Sequence, residues 1–153
     1  MANLKTLTVA ALLAFVSAPV AAVAEADMAA LPASASGKAH AELRKADLKD
    51  GELTVELRFL TDYAGYSGEE IYADATNADI HVEADGKSFP LAKDDAGKPM
   101  APAELMLKFN YDPGKNPRVG TWKGTFDAPP AGTDTATLVM PNLAPVPLKI
   151  KNR

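Results

Sequence analysis

The sequence predicts an all-β domain, built as an antiparallel two-sheet sandwich of about seven or eight strands. Apolar and polar residues alternate with a period of two over most of the chain from Ala39 onward, as in strands that bury one face. Turn-forming Gly, Pro and Asp residues separate these runs. No connection offers the ten or more residues of helical periodicity that a crossover between parallel strands requires, which excludes a parallel α/β fold.

The clearest strand is predicted at 53–59, where Leu53, Val55, Leu57 and Phe59 alternate with polar residues. The strand at 80–84 meets Asp85-Gly86, a dipeptide that closes tight hairpins. In the strand at 121–126, Trp122 and Phe126 fall on the same side and are the largest predicted core residues. The remaining strands are predicted at 39–47, 88–91, 105–111, 135–140 and 146–151.

Residues 1–24 have the three-part pattern of a secretory signal peptide. Lys5 lies in a short first region, an apolar stretch follows at 7–16, and the segment ends in Ala22-Val23-Ala24, small residues of the kind that a signal peptidase reads. Residues 25–38 are predicted to be a flexible leader, and 39–153 the sandwich domain. The absence of Cys excludes disulfides and a lipid attachment site, and it favours a bacterial periplasm over a eukaryotic secretory route.

The region from Ala39 to Lys151 resembles the small immunoglobulin-like sandwich domains that many bacteria export. The resemblance depends on the strand opening at Gly51, the Asp85-Gly86-Lys87 hairpin and the step from Gly124 to Pro130 before the closing strands. It implies a fold and a general role as a binding or accessory module, and it carries no functional residue across. The chain lacks the Cys pair of antibody domains, and its one Trp lies late in the sequence.

Composition argues against several function classes. The formal net charge of −4 argues against binding nucleic acid, whose phosphates require a basic surface. There is no Gly-x-Ser-x-Gly nucleophile motif, and His40 and His81 are the only histidines. We therefore expect no catalytic activity. No second long apolar stretch follows residues 1–24, so we also expect no membrane span after signal cleavage. A small hydrolase using a carboxylate pair remains an alternative, because 20 acidic residues are present.

A periplasmic copper or zinc protein is a second alternative. His40 and His81 would be its ligands, with Met100 and Met106 as further candidates, provided that the two histidine-bearing strands pair side by side. No His-x-His or Met-rich cluster supports this, and an outward-facing His81 and a packed Met106 are the simpler interpretation of the pattern. We expect no other cofactor.

The connection at 61–79 is the predicted contact site for a partner protein or surface polymer. It holds Tyr63, Tyr66 and Tyr72, three of the four tyrosines, interleaved with glycines and acids. Alternatively, these rings cover the open end of the core. Glu69 and Glu70 belong to the same predicted site.

Two acidic loops are candidate calcium sites. Glu69 and Glu70 form one together with Asp74, and a second acidic turn lies at 94–97, but neither has the ligand spacing of a dedicated calcium loop. A solvated acidic loop is the simpler interpretation. Four basic residues are interpreted in the same way, as part of a mixed charged face rather than a patch for anionic polymer: Lys108, Lys115, Arg118 and Lys123.

Overall fold

The structure, a computed structural model, describes residues 27–153. The predicted signal peptide and the first two residues of the predicted leader lie outside the described residues. The described part contains one helical turn at 27–29 and ten strands. The strands are β1 (His40–Lys49), β2 (Glu52–Leu60), β3 (Gly68–Tyr72), β4 (His81–Ala84), β5 (Lys87–Pro90), β6 (Leu105–Lys108), β7 (Arg118–Asp127), β8 (Thr135–Val139), β9 (Val146–Lys149) and β10 (Lys151–Asn152).

Two hairpins close through Asp-Gly dipeptides. The predicted turn at Asp85-Gly86 joins β4 to β5, with φ angles of 51° and 73°. Asp50-Gly51 joins β1 to β2 in the same way, with φ angles of 53° and 80°. Positive φ at both central residues matches the right-handed twist of the strands, and Asp and Gly tolerate it better than most residues do. These turns set the register of the two hairpins.

The strands form an all-β, sandwich-like fold with three sheets. The orders are β10-β1-β2-β7, β5-β4-β8-β9 and the two-stranded β3-β6. The predicted alternation in β2 is confirmed, since Leu53, Val55, Leu57 and Phe59 are all buried. Trp122 and Phe126 of β7 are also buried, with ring centroids 6.1 Å apart.

Close packing around Trp122 requires a glycine at position 124. A Cβ atom added to Gly124 would lie 2.3 Å from the Trp122 ring, a distance that no substitution can accommodate without moving the ring. The buried position of the Trp122 ring therefore depends on two residues, the tryptophan itself and the glycine at position 124.

The two four-stranded sheets are joined where strands pass from one to the other. β9 pairs with β8, and after the buried Ile150 the chain continues as β10, which pairs with β1. A second connection follows β5. Leu91, the residue after this strand, forms an isolated antiparallel β-bridge with Phe126 of β7 in the other sheet. Strands that change sheets in this way make the corners of a sandwich.

Three expectations about the fold are corrected. β3 is an additional strand inside the predicted 61–79 connection, where the glycines and acids obscure its short apolar run. The pairing is antiparallel except between β1 and β10, which run parallel. The described part has ten strands rather than seven or eight, because β3 was missed and the predicted last strand divides into β9 and β10 at Ile150.

The second half of the predicted flexible leader is bonded to the domain. Ser34 is buried, and backbone hydrogen bonds link Ser34 to Ala39, Ala35 to Asn142 and Ala144 to Ala33. The Ala41 amide also donates to the Pro32 carbonyl. These bonds place residues 32–38 with the folded part, and the sequence could not indicate this because the segment lacks large apolar residues.

Within residues 27–153, no helical segment has the length and hydrophobicity of a transmembrane span.

Candidate functional site

The three tyrosines of the 61–79 connection lie in three different environments. Tyr72, at the end of β3, is only 3% exposed. Its hydroxyl accepts a hydrogen bond from Trp122 Nε1 and donates one to the Pro102 carbonyl, each 2.8 Å long. Burial raises the pKa of the Tyr72 hydroxyl above its ordinary value, and the bond from Trp122 offsets part of this effect. Tyr72 is a core residue, so its prediction as a contact residue is wrong.

Tyr63 covers the edge of the core. Its ring is half-buried and meets Phe109 edge-on, with centroids 5.6 Å apart. The Lys38 ammonium lies 4.2 Å from the ring centroid on a face of Tyr63, in cation–π geometry. Gly65 gives the ring room, because a Cβ atom there would lie 2.9 Å from it. Tyr63 therefore matches the lid interpretation.

Tyr66 is the exposed member of the set, at 73%. It pairs with Tyr111, which is 65% exposed, in a perpendicular arrangement with ring centroids 4.0 Å apart. Two backbone hydrogen bonds hold the supporting loops together, from Gly65 to the Asn110 carbonyl and from Phe109 to the Ser67 carbonyl. The pair is thus an exposed aromatic surface on two loops that are held together by backbone hydrogen bonds.

Tyr111 was not predicted as a site residue. In sequence it continues the alternation of Leu105, Leu107 and Phe109, and this pattern indicates a strand. β6 ends at Lys108, however, and the chain turns at Asp112 to Gly114, leaving Tyr111 beside Tyr66. The turn residues signalled the end of the strand, but nothing local could show which loop would meet it.

Glu69 and Glu70 differ in their contacts and in their exposure. The Glu69 carboxylate accepts hydrogen bonds from the Ser34 and Ser36 hydroxyls, at 2.8 and 2.7 Å, and from the Ser36 amide at 2.9 Å. It therefore anchors the segment that precedes β1. Glu70 is exposed and lies opposite Met106 of β6.

In each of the two acidic loops considered for calcium, one aspartate caps a turn. Asp74 accepts bonds from the Thr76 amide and the Asn77 side chain, at 2.9 and 2.6 Å. The Thr76 amide is the main cause of a lowered Asp74 pKa. Asp94 accepts bonds from the Ala96 and Lys98 amides, both at 2.9 Å. Among residues 27–153, no group of three or more His, Asp or Glu side chains has an arrangement that could hold a metal ion.

The two histidines lie on strands of different sheets. His40 begins β1, which pairs with β2 and β10, and its Nδ1 is 3.5 Å from the Leu31 carbonyl. His81 begins β4, which pairs with β5 and β8. Its ring nitrogens contact Asp79 and Glu83, at 2.8 and 3.2 Å. The side-by-side pairing that the copper or zinc alternative required does not occur.

Neither candidate methionine lies on a strand that carries a histidine or on a strand that pairs with one. Met106 lies on β6 and is 44% exposed, on the outer face of the sheet. Its Sδ would lie 3.3 Å from a Cβ added to Gly68 of β3, and it therefore covers that glycine on the outer face. Met100 follows β5 and is 37% exposed.

Two of the four basic residues of the predicted mixed face have acidic neighbours. Lys115 Nζ lies 3.3 Å from the Asp112 carboxylate, and Lys123 Nζ lies 3.7 Å from that of Glu56.

Of the predicted site residues, the structure thus leaves Tyr66 and Glu70 on the surface of the β3–β6 region, together with Tyr111 and Met106. We name the set formed by Tyr66, Tyr111 and Met106 the aromatic patch. Comparisons of the chain with protein-family models, with curated proteins and with solved structures find no match.

Proposed function

We propose that this chain is an exported, non-catalytic binding module of the immunoglobulin-like sandwich type, and that it contacts a partner protein through the aromatic patch. The exposed Tyr66–Tyr111 pair is the observation that carries this proposal. The signal-peptide pattern of residues 1–24 and the absence of Cys support export to a bacterial periplasm.

The chemistry of the patch favours a protein partner. Tyrosine and methionine are enriched at protein interfaces, where a ring gives large contact area and loses little conformational entropy. Met106 covers Gly68, two residues after Tyr66 in the sequence, and adds an exposed apolar side chain on β6. Charged residues border it, with Glu70 opposite Met106 and Lys108 opposite Gly68. An apolar centre with a polar rim is the usual composition of an interface.

The backbone under the pair supports preorganised binding. The hydrogen bonds between the 65–67 and 109–110 segments fix the two loops relative to each other. The perpendicular ring contact further restricts both side chains. A surface that is already ordered loses less entropy on binding, which favours affinity.

Site-specific photo-crosslinking tests the contact surface. Tyr66 is replaced with p-benzoylphenylalanine in the full-length protein, in the cells that produce it, and the cells are irradiated. We expect one adduct of defined mass, and we expect Tyr111→Ala in the same chain to reduce its yield. The control places the photo-reactive residue at Asp95, an exposed position of the 94–97 turn. Identical adducts from both positions, or none from position 66, would contradict the proposal.

Export is tested separately. We expect the protein to accumulate in the periplasmic fraction with an N-terminus at Glu25, as read by intact mass. Replacing Ala24 with a bulky residue, Ala24→Phe, should slow processing, because the peptidase accepts small residues there. An unprocessed chain confined to the cytoplasm would contradict this part of the proposal.

A further inference from the structure

A second surface feature, independent of the aromatic patch, is a basic groove along the outer side of β1 and β10. The groove has a volume of about 600 Å³. We define it by its five cationic residues, which are Arg44, Lys45, Lys149, Lys151 and Arg153. Two acidic residues, Asp47 and Glu56, also line it.

The irregular pairing of β1 helps to form this groove. The register between β1 and β2 shifts between Leu43 and Lys45, so Arg44 is the extra residue of a β-bulge. A bulge bends its strand and redirects side chains. Arg44 is consequently exposed, and it lines the groove together with the neighbouring Lys45.

The other wall is a row of cations on the last two strands. Lys149, Lys151 and Arg153 are exposed and alternate with the buried Ile150 and with Asn152. At roughly 3.3 Å per residue of extended backbone, the stretch from Lys149 to Arg153 spans at most about 13 Å, and it includes the change of sheet at Ile150.

The charge in the groove is only partly neutralised. Asp47, whose side chain is 11% exposed, binds Arg153 Nε at 2.8 Å and Lys45 Nζ at 3.8 Å. This carboxylate holds both cations in place, while an arginine carries five N–H donors, of which the Nε contact uses one. Among residues 27–153, neither Lys149 nor Lys151 has a carboxylate within 4.0 Å.

We infer that the basic groove binds a linear polyanion, a chain that carries phosphate or carboxylate groups at regular intervals. The groove has five cations and two acids on a protein whose formal net charge is −4, so its positive charge is concentrated rather than general. An extended row of cations matches a ligand with repeated charges better than a single small anion, which would contact one or two of them.

Binding is measured with the full protein, purified as it accumulates in an exporting host, by fluorescence anisotropy. The probes are labelled linear polyphosphate and labelled polygalacturonate, which separate phosphate from carboxylate recognition. We expect one of them to bind at 50 mM salt, with an affinity that falls steeply as salt increases. Orthophosphate at equal total phosphate should compete poorly with the polymer.

The variant Lys149→Gln with Lys151→Gln removes the two unpaired lysines. We expect it to weaken polymer binding by about tenfold and to reduce the salt dependence by about one unit of slope for each lysine. The matched control, Lys87→Gln with Lys93→Gln, changes the net charge equally at two exposed lysines outside the groove, and we expect less than about a twofold change there. Urea unfolding of both variants verifies that each one folds.

Four results would overturn the inference. These are the absence of binding by either polymer, equal losses in the two double variants, equal competition by orthophosphate, and tighter binding of a single-stranded oligonucleotide than of the polymers. The aromatic patch provides an independent check. Tyr66→Ala should leave polymer binding unchanged, and the lysine variant should leave the photo-crosslink from position 66 unchanged.

Discussion

Tyr72 and Tyr66 lie in the same connection between β2 and β4 and have the same side-chain chemistry, yet one is 3% exposed and the other 73%. Tyr72 ends a strand that pairs with β6, and its hydroxyl bonds to Trp122 of β7. Tyr66 lies before that strand and contacts only another loop tyrosine among the aromatic rings of residues 27–153. Their different environments come from strand pairing with distant residues rather than from local composition.

The comparison shows how a tyrosine can serve either stability or recognition. A buried ring contributes apolar contacts, but its hydroxyl must find partners, and Tyr72 has two of them. An exposed ring contributes little to stability and stays available for contact. Tyr63, half-buried against Phe109, lies between these two cases. Substitutions at the three positions should therefore separate into three ranges of effect.

The largest effect is expected for Tyr72→Ala. It removes a buried ring and leaves Trp122 Nε1–H and the Pro102 carbonyl without their partner, so the free energy of unfolding should fall by about 3–5 kcal/mol. Tyr72→Phe retains the ring and should cost about 1–3 kcal/mol. Urea unfolding followed by Trp122 fluorescence measures both. A loss below about 1 kcal/mol for the alanine variant would remove the distinction between Tyr72 and Tyr66.

High pH should sharpen the distinction. The pKa of Tyr72 is raised in the folded protein, so above the ordinary value of 10.0 the unfolded chain loses this proton before the folded one does. The contribution of Tyr72 to stability is therefore present below pH 10 and is lost as pH rises through its higher folded-state pKa. Denaturation midpoints between pH 9 and 11 should decline less in Tyr72→Phe than in the wild type. Tyr66→Phe should decline as the wild type does, and equal curves for all three proteins would argue against the role of burial.

An intermediate effect is expected for Tyr63→Ala. The variant loses the edge-on contact with Phe109 and the cation–π contact with Lys38, and we expect a loss of about 1–2 kcal/mol. Thermal unfolding measures the change. Tyr63→Phe preserves the ring and should restore most of the stability, whereas no loss in the alanine variant would place Tyr63 with the recognition residues instead.

The smallest effect is expected for Tyr66→Ala and Tyr111→Ala. Each ring is mostly exposed, so each substitution should change the free energy of unfolding by less than about 0.5 kcal/mol. The double variant should unfold at nearly the wild-type urea concentration. A loss above about 1.5 kcal/mol in the double variant would mean that the pair is needed for folding, and the aromatic patch would lose its interpretation as a binding surface.

The sequence predicted the features that depend on neighbouring residues. The alternation in β2 identified its buried face, Asp85-Gly86 identified a hairpin, and Trp122 and Phe126 were found in the core. The sequence-based prediction failed where contacts with distant residues determine the position of a side chain. Tyr72 is buried because of β6 and β7, and Tyr111 joins Tyr66 through loop–loop hydrogen bonds.

The candidate acids show the same limit. Glu69 and Asp74 have the residue type and loop setting of calcium ligands, but one anchors the residues before β1 and the other caps a turn. Single-sequence patterns give the kind of side chain and its approximate setting. They do not show that the Ser34 and Ser36 hydroxyls, 35 and 33 residues away, will bond to the carboxylate of Glu69, whereas the turn that Asp74 caps is local.

The parallel pairing of Asp47 with Lys151 also has a consequence for the order of folding. The outer edge of β1 pairs with residues about one hundred positions later in the chain, and a contact of such high sequence separation forms slowly compared with a hairpin. The β1–β2 hairpin can form early through its Asp50-Gly51 turn, but its outer edge stays unpaired until β10 reaches it. The edge of β1 is therefore completed late in folding, when β10 pairs with it.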